Sequence, residues 1–381
     1  MRLSRSVVGK AEADAVARVI CEDGYLGMGE ATRKFESELA SYLGVETWQV
    51  ISANSGTAAL HLAVWAALAR AAGRGSAPAR PAVLVPSLTF ISSFQAILAG
   101  GCVPIACDVH LATATLDLED ARRRLTEDVI AVMHVDYASN PWHLDKVYEF
   151  GQRHGLAVID DAAHAFGCCH HGRRIGSFGD LVCFSFDGIK NITCGEGGCL
   201  IAFDRQSANV AADGRLLGVA GDTAKRFAGA RSWDPDVSRP GLRYHLSNIM
   251  AAIGSCQLAR LEDEFIPARR RLYELYAERL APLEGIRLLE TDPDDYIVPH
   301  IMPVRVLADR RDRVARALAE RSIPTGMHYK PNHLLSLFGA GADSLPGCET
   351  LYRELLTLPL HPGLSAADVD LVCGAVREAL R

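Results

Sequence analysis

The sequence at residues 181–203, LVCFSFDGIKNITCGEGGCLIAF, contains two apolar segments separated by a polar, glycine-rich loop. We predict β-strands at 181–186 and 199–203, because each run is short, apolar and bounded by turn residues. Lys190 lies in the loop, between a buried strand and the turn at 195–198. A lone lysine is most often solvated. A desolvated lysine at a strand end instead has a lowered pKa and can form a Schiff base.

The residues on the N-terminal side of this segment alternate between predicted strands and predicted helices. Such alternation is typical of a mostly parallel sheet with helices on both faces, so we predict a three-layer α/β architecture. The predicted strands are 82–85, 103–106, 128–135 and 156–159, with a short one ending at residue 51, and the predicted helices are 30–43, 58–70 and 143–153.

The last third of the chain has a different pattern. We predict one long helix at 247–280, strands at 286–289 and 297–304, and helices at 310–320 and 366–380. Ser365 with Asp368 three residues later is a capping box that starts the final helix. The sequence therefore predicts a large domain at 1–245 and a smaller C-terminal α+β domain at 246–381.

Composition excludes several classes of protein. The 381 residues include 40 Lys and Arg against 46 Asp and Glu, a formal net charge of −6, which argues against broad binding to nucleic acid or anionic membranes. No apolar run reaches the roughly 18 residues of a membrane span, and the start lacks a secretory signal's apolar segment. The eleven cysteines form no CxxC pair, so we expect buried thiols, a cytoplasmic protein and no metal site.

A candidate anion site lies at 54-NSGTAAL-60, between a predicted strand and an apolar helix. Gly56 allows a tight turn and exposes backbone N–H groups beside the hydroxyls of Ser55 and Thr57. A helix N-terminus of this kind binds anions, and phosphate is the usual occupant. An ordinary helix cap by Ser55 or Thr57 explains the same residues. Neither a P-loop nor a GxGxxG dinucleotide fingerprint is present.

Two carboxylates follow an apolar strand at 158-VIDDAAH-164. The ligand crevice of an open α/β sheet lies at the carboxyl ends of its strands, which is where Asp160 and Asp161 fall. A buried carboxylate needs a partner, and a protonated heterocyclic nitrogen is one such partner. The alternative is an aspartate that caps the next turn.

Taken together, the three segments indicate one cofactor. A phosphate cradle, a strand-end aspartate and a loop lysine, in this order, are the parts needed to hold pyridoxal 5'-phosphate (PLP). The lysine carries the aldehyde, the aspartate keeps the pyridine nitrogen protonated, and the cradle holds the phosphate.

With these residues the sequence resembles the DegT/DnrJ/EryC1/StrS sugar aminotransferases, which are PLP-dependent and have the fold-type-I, aspartate aminotransferase-like architecture. The resemblance covers nearly the whole chain. Its most specific part is SFDGIK at 185–190 with GEGG at 195–198. The other matching segments are GMG at 27–29, NSGTAAL at 54–60, PSLTF at 86–90, DDAAHAFG at 160–167, IGSFGD at 175–180, SNIMAAIGSCQL at 247–258, HYKPNH at 328–333 and LPLHP at 358–362.

The resemblance implies a role for each matching residue. Lys190 would form the internal aldimine and carry the proton between the two carbons. Asp161 would pair with the pyridine nitrogen. Gly56, Thr57 and Ser185 would hold the phosphate.

Further positions are implied to contact the cofactor. Phe90 would stack on the pyridine ring, with plain core packing as the alternative. His164 would contact the ring oxygen or face, with a purely structural histidine as the alternative. The family's G-x-N-x-R-M-S segment reads Gly241 to Ser247 here, with Arg243 at the asparagine position and His245 at the arginine position. Arg243 could reach the phosphate of a neighbouring subunit's cofactor or point at the substrate.

The resemblance also implies an activity. The expected reaction moves an amino group from an amino acid, usually L-glutamate, to a keto sugar expected to be nucleotide-linked, in a homodimer with shared active sites. Glutamine as donor and a keto-cyclitol of aminoglycoside-type pathways as acceptor fit the same motifs.

A PLP-dependent sugar dehydratase is a further alternative, but that branch replaces the lysine with histidine. A non-catalytic PLP-binding sensor is the alternative outside enzymes. Loops around Tyr25, Trp142, 231–244 and 330–333 would select the substrate.

Overall fold

One large sheet dominates the computed structural model, which describes residues 1–75, 78–228, 230, 234–237, 239–339 and 343–381. In this described part, seven strands pair in the order β1-β9-β8-β5-β4-β2-β3. A second sheet pairs β10, β11 and β12, and β6 and β7 form a short hairpin. The strands are β1 Val50–Ala53, β2 Ala82–Pro86, β3 Val103–Cys107, β4 Val129–Val135, β5 Ala157–Asp161, β6 Cys169–His170, β7 Arg173–Arg174, β8 Leu181–Ser185, β9 Gly198–Ala202, β10 Ile286–Leu288, β11 Met302–Val306 and β12 Leu355–Leu358.

Helices cover both faces of the large sheet and pack on the small one. They are α1 Lys10–Arg18, α2 Glu30–Leu43, α3 Gly56–Gly73, α4 Ile91–Ala99, α5 Leu118–Arg123, α6 Leu144–His154, α7 Arg205–Gly214, α8 Asp222–Phe227, α9 Asn248–Arg260, α10 Ile266–Leu280, α11 Arg311–Glu320, α12 Pro346–Glu354 and α13 Ala366–Leu380. Five-residue π-helical segments occur at Val19–Asp23 and Leu261–Phe265, and single 3-10 turns at Thr47–Gln49, Tyr137–Ser139 and Asn332–Leu334.

Strand direction in the large sheet determines where a ligand can bind. Strands β2, β3, β4, β5 and β8 pair in parallel, whereas β9 runs antiparallel to both β8 and β1. Of the seven strands, β9 is therefore the one that is reversed. The carboxyl ends of β1, β2, β4, β5 and β8 meet at one edge of the sheet, which is where open α/β sheets bind ligands.

The core confirms the predicted three-layer arrangement. Successive strand residues point to opposite faces, so Val83 and Val85 pack with α3 on one side while Ala82 and Leu84 pack with α6 on the other. Such burial on both faces explains why the strands are continuous apolar runs rather than alternating ones.

The C-terminal sheet is antiparallel and packs against α10, α11 and α13. The sequence analysis predicted its α+β character, but it placed a strand at 297–304 where the structure has β11 at Met302–Val306. The capping box at Ser365 is confirmed, since its hydroxyl accepts the N–H of Asp368 at 3.2 Å. The division of the chain at 245/246 stays a prediction, and α9 packs on α1 and α2 beside the large sheet.

The predicted long helix at 247–280 is confirmed with one irregularity. Helices α9 and α10 are joined without a gap by the π-helical turn Leu261–Phe265. Pro267 near the start of α10 has no N–H to donate to the preceding turn, which is a local reason for this wider turn. Several short elements were not predicted: helices α1, α4, α5, α7, α8 and α12 and strands β6, β7 and β12. Each of these helices has ten residues or fewer, so its sequence pattern extends over fewer than three turns.

The cysteines lie where the composition suggested. All eleven are free thiols, and eight of them are buried. None of the helices in the described part of the chain is long and apolar enough to cross a bilayer.

Candidate active site

A cavity of about 310 Å³ opens at the carboxyl edge of the large sheet. Its walls come from the ends of β1, β2, β4, β5 and β8 and from segments of the C-terminal part of the chain. The lining residues are Ser55, Gly56, Thr57, Leu60, Thr89, Phe90, Ser92, Val135, Asp161, Ala163, His164, Ser185, Asp187, Ile189, Lys190, Glu196, His300, His328 and Tyr329. Seven of the eight residues that the sequence analysis assigned to the cofactor site line this one cavity.

Lys190 is held in the loop after β8. Its backbone N–H donates to the carbonyl of Asp187 at 3.1 Å, and its own carbonyl accepts a hydrogen bond from Arg269 at 3.3 Å. Burial lowers the pKa of Lys190 to about 8, although the carboxylates of Asp161 and Asp187 act in the opposite direction. A substantial fraction of this amine is therefore neutral near pH 8, as a nucleophile or a proton acceptor must be.

Asp161 ends β5, and its side chain is 5% exposed. One carboxyl oxygen accepts from Ser93 Oγ at 2.7 Å, and Ser93 Oγ also bonds Thr89 Oγ1 at 2.9 Å. The other oxygen accepts from the N–H of Ala163 at 3.3 Å. Burial raises the pKa of Asp161, and the Ser93 hydrogen bond and the nearby Lys190 offset part of that effect. A cation placed beside this carboxyl would stabilise its charged form.

The N-terminus of α3 points into the cavity. Ser55 is the N-cap, and its hydroxyl accepts from the N–H of Ala58 at 3.1 Å. Because the first N–H groups of a helix lack intrahelical acceptors, those of Gly56 and Thr57 stay available among the described residues. A Cβ on Gly56 would lie 2.7 Å from the Cβ of Ser185, so only glycine lets the helix start approach β8 this closely.

His164 is neutral and its tautomer is determined by its partners. Burial lowers its pKa well below the usual value, and Lys190 and His328 add to this effect. The N–H of Ala138 donates to its Nδ1 at 3.3 Å, so the ring proton lies on Nε2, which is 3.2 Å from the hydroxyl of Tyr329. His164 thus donates to Tyr329, and the hydroxyl proton of Tyr329 remains free to donate into the cavity.

Two more histidines complete this wall. The His300 ring lies 4.5 Å from the His164 ring. His328 bonds Thr357 Oγ1 at 2.8 Å through Nδ1, and burial together with Lys190 lowers its pKa to about 4. Histidines kept neutral beside Lys190 add no competing positive charge.

Phe90 and Arg243 occupy contrasting positions. Phe90 is 53% exposed although its ring lies 5.4 Å from that of Tyr329, so it lines the cavity rather than the core. Arg243 is exposed and does not line the cavity. Its carbonyl accepts from Asn54 Nδ2 at 3.3 Å, which places its backbone next to the segment that caps α3. Residues 231–233 and 238 of the loop predicted to select the substrate lie outside the described residues.

Several residues of the site were not found from the sequence. Ser93 was missed because α4 was not predicted; it lies in the first turn of that helix. His300 follows an irregular segment without a motif. Arg269 is one of three consecutive arginines at 269–271, and nothing in the sequence distinguishes it from the other two. In the structure it is 2% exposed and donates to the carbonyls of Lys190, Pro299 and His300.

Comparisons with known proteins agree with this architecture. A sequence model of the DegT/DnrJ/EryC1/StrS aminotransferase family matches residues 7–377. The chain is 35% identical over 386 residues to a dTDP-4-dehydro-2,3,6-trideoxy-D-glucose 4-aminotransferase from Saccharopolyspora spinosa, covering 100% of this chain and 97% of that protein.

Solved structures are similar along the whole chain. The aminotransferase TlmJ from Streptoalloteichus hindustanus is 33% identical with a TM-score of 0.89, over 100% of this chain and 98% of that one. The sugar aminotransferase CalS13 from Micromonospora echinospora is 26% identical with a TM-score of 0.88, over 99% of each chain. These matches confirm the predicted fold-type-I architecture. The chain belongs to the DegT/DnrJ/EryC1/StrS aminotransferase family and is an aminotransferase.

Proposed function

We propose that the protein uses PLP to move an amino group from L-glutamate to a nucleotide-linked keto sugar. The observation that carries the proposal is the meeting of Lys190, Asp161 and the N-terminus of α3 in one cavity. These three groups come from distant parts of the chain. No single group is specific for PLP. Together they are, because Lys190 suits the aldehyde, Asp161 suits the pyridine nitrogen and the N-terminus of α3 suits the phosphate.

The residues present fit this cofactor group by group. The free N–H groups of Gly56 and Thr57 and the hydroxyl of Ser185 suit a phosphate at the positive end of a helix. Asp161 is a buried carboxyl without a cationic hydrogen-bond partner among the described residues, and a pyridinium would supply that partner. Phe90 offers an exposed aromatic face to a heterocycle.

Bound PLP supplies an aldehyde that accepts the amino group and a protonated ring that withdraws electrons from the reacting carbon. The protein supplies the proton transfers. Lys190, with its pKa lowered to about 8, can take a proton from the substrate carbon as a neutral amine and return it as an ammonium.

Tyr329 is placed to orient a bound oxygen. Since His164 donates to the tyrosine oxygen, Tyr329 can donate its own proton to an acceptor in the cavity. Burial raises the pKa of Tyr329, so the hydroxyl keeps its proton at neutral pH. The pair forms a donor chain that begins at the backbone N–H of Ala138.

The acceptor is assigned by analogy with a relative. The Saccharopolyspora spinosa protein is named for a dTDP-linked 4-dehydro sugar, and its 35% identity extends over the whole of this chain. Nucleotide-linked 4-dehydro deoxyhexoses are therefore the first acceptors to test. A keto-cyclitol is the alternative acceptor from the sequence analysis and belongs in the same screen.

The test is the visible absorption spectrum of the purified protein before and after L-glutamate is added. We expect a yellow protein whose visible band falls with glutamate and returns when the correct keto acceptor is supplied. Lys190→Ala should abolish turnover, because it removes both the attachment point and the proton carrier. Lys146→Ala, at an exposed lysine on α6, is the matched control and should behave as the wild type.

Each outcome has a defined meaning. A protein that cannot be reconstituted with PLP, or a Lys190→Ala variant with unchanged turnover, would contradict the proposal. A yellow protein that responds to glutamine but not to glutamate would overturn the donor assignment alone. Return of the band with a cyclitol and not with any nucleotide sugar would overturn the acceptor assignment alone.

A further inference from the structure

A second cleft, of about 430 Å³, lies outside the active-site cavity, and none of its lining residues line that cavity. The β6–β7 hairpin and α6 form its walls. Asp145, His170 and His171 each place one potential metal-ligand atom there, and these three atoms lie within 4.8 Å of one another. Asp145 is on α6, whereas the histidines are on the hairpin, so the cluster spans two elements.

His170 is oriented as a ligand. Its side chain is 5% exposed, and its Nδ1 lies 2.8 Å from Oδ1 of Asp295, whose side chain is fully buried. Because a carboxylate accepts, Nδ1 carries a proton, so a metal ion would bind at Nε2. Metal-binding histidines are typically held in this way by a second carboxylate.

The Nε2 atom of His170 is buried and has no hydrogen-bond partner among the described residues. The hydroxyl of Tyr148, which lines the same cleft, is likewise buried without a partner there. Unpaired buried polar atoms are costly, so a water molecule or an ion bound in the cleft would satisfy both of them.

The distances suit one ion. His170 Nε2 lies 3.7 Å from Asp145 Oδ1. Two ligand atoms that bind Zn²⁺ tetrahedrally at about 2.0–2.1 Å lie about 3.4 Å apart. A small rotation of Asp145, whose side chain is 50% exposed, closes that difference. His171, at the hairpin turn, is 46% exposed and can adjust in the same way.

The charges around the cleft favour a cation. Asp145 and Asp295 contact His170, and Asp292 lies 3.4 Å from His171. The cation that lines the cleft is Arg173, whose guanidinium stacks 4.0 Å above the ring of Phe178. Three carboxylates therefore lie against the two histidines, and one cation lines the cleft.

We propose that Asp145, His170 and His171 bind a divalent transition-metal ion, with Asp295 as the positioning residue behind His170. Two imidazoles and a carboxylate favour zinc-like ions over Mg²⁺ or Ca²⁺, which prefer oxygen ligands. Three protein ligands leave a coordination position for water. The ion would link α6 to the β6–β7 hairpin and, through Asp295, to the segment before β11. The absence of a CxxC pair led the sequence analysis to expect no metal site.

The test is zinc binding by the untagged holoenzyme after chelator treatment and dialysis, measured by calorimetry and elemental analysis. We expect about one tight zinc per chain and a Tm that rises with added Zn²⁺. Asp145→Asn and His171→Ala alter exposed side chains, so both should fold and retain aminotransferase activity. Each should weaken zinc binding at least about 100-fold, and Asp295→Asn should weaken it about 10–100-fold.

His110→Ala is the matched control, since it removes a partly exposed histidine outside the cluster and should leave zinc binding unchanged. Zinc that stays bound to the Asp145→Asn, His171→Ala double variant would assign the ion to other residues, such as the active-site histidines, and overturn the proposal. Absence of tight zinc binding to the wild type would also overturn it, leaving His170 as part of a metal-free carboxylate network.

Discussion

At the scale of single residues, burial determines the chemistry of the site. Lys190 and Asp161 are an ordinary amine and an ordinary carboxyl in the sequence. In the structure, burial lowers the pKa of the lysine and raises that of the aspartate, so both shifts favour the neutral forms. A ligand that supplies an aldehyde to the lysine and a cation to the aspartate would offset the cost of burying both groups.

The pKa of Lys190 predicts how the cofactor-free enzyme reacts with PLP. Only the neutral amine attacks an aldehyde, so the rate of attachment should rise with pH and level off above about pH 8. Well below that pH the rate should fall about tenfold per pH unit. Stopped-flow absorbance measures it, with Lys190→Ala as the background. A rate that still rises steeply beyond pH 9.5 would contradict the lowered pKa.

The Asp161→Asn variant tests the pairing with the cofactor ring. The amide keeps the shape of the carboxyl and can still accept a hydrogen bond from Ser93. It carries no negative charge, so it cannot stabilise a protonated pyridine nitrogen. We expect turnover to fall about 10²–10⁴-fold while the protein still folds. The matched control is Asp160→Asn. Asp160 is buried on the same strand but does not line the cavity, so this change alters a neighbouring carboxyl outside the site. Equal losses in both variants would contradict the role of Asp161.

At the scale of elements, the start of α10 connects the C-terminal part of the chain to the active-site loop. Arg269 on α10 is buried and has backbone carbonyls, not carboxylates, as its partners among the described residues. Burial lowers its pKa to about 10. The guanidinium joins the carbonyl of Lys190 to those of Pro299 and His300, so one side chain positions two walls of the cavity.

Replacing Arg269 with Met should destabilise the protein. The change leaves three buried carbonyls without their donor, and we expect the free energy of unfolding to fall by about 2–4 kcal/mol. Arg271→Met, at an exposed position on the same helix, should change it by less than about 0.5 kcal/mol. Urea unfolding of both variants makes the comparison. PLP affinity should fall only for Arg269→Met, and similar unfolding curves for the two variants would contradict the argument.

At the scale of the whole molecule, a single chain leaves part of the site uncovered. Phe90 is 53% exposed at the cavity, and Arg243 is exposed outside it. Other large apolar side chains are also exposed on the surface, among them Tyr25, Leu26 and Leu242. We propose a homodimer in which Arg243 of each chain serves the cofactor phosphate of the other chain.

Complementation tests this arrangement. Lys190→Ala and Arg243→Ala chains should each be poorly active alone. If Arg243 acts in the partner's site of a twofold dimer, each heterodimer of the two variants carries one intact site out of two. Equal random mixing makes half of the dimers heterodimers. The mixture should therefore regain about a quarter of wild-type activity. Sedimentation of each variant checks that the dimers form. No recovery in verified mixed dimers would place Arg243 and Lys190 in the same site.

The sequence by itself predicted the fold class, the alternation of strands and helices that builds the large sheet, and the residues at the carboxyl ends of β1, β5 and β8. Those features follow from local runs of apolar residues and from short motifs, which can be read without knowing what packs against them. Only the tertiary structure showed four features: the Thr89–Ser93–Asp161 hydrogen-bond chain, the hydrogen-bonded pair of His164 and Tyr329, the burial of Arg269, and the cluster of Asp145, His170 and His171. Each of these joins residues from different elements, and their protonation and partners depend on burial, which is a property of the packed chain rather than of any segment.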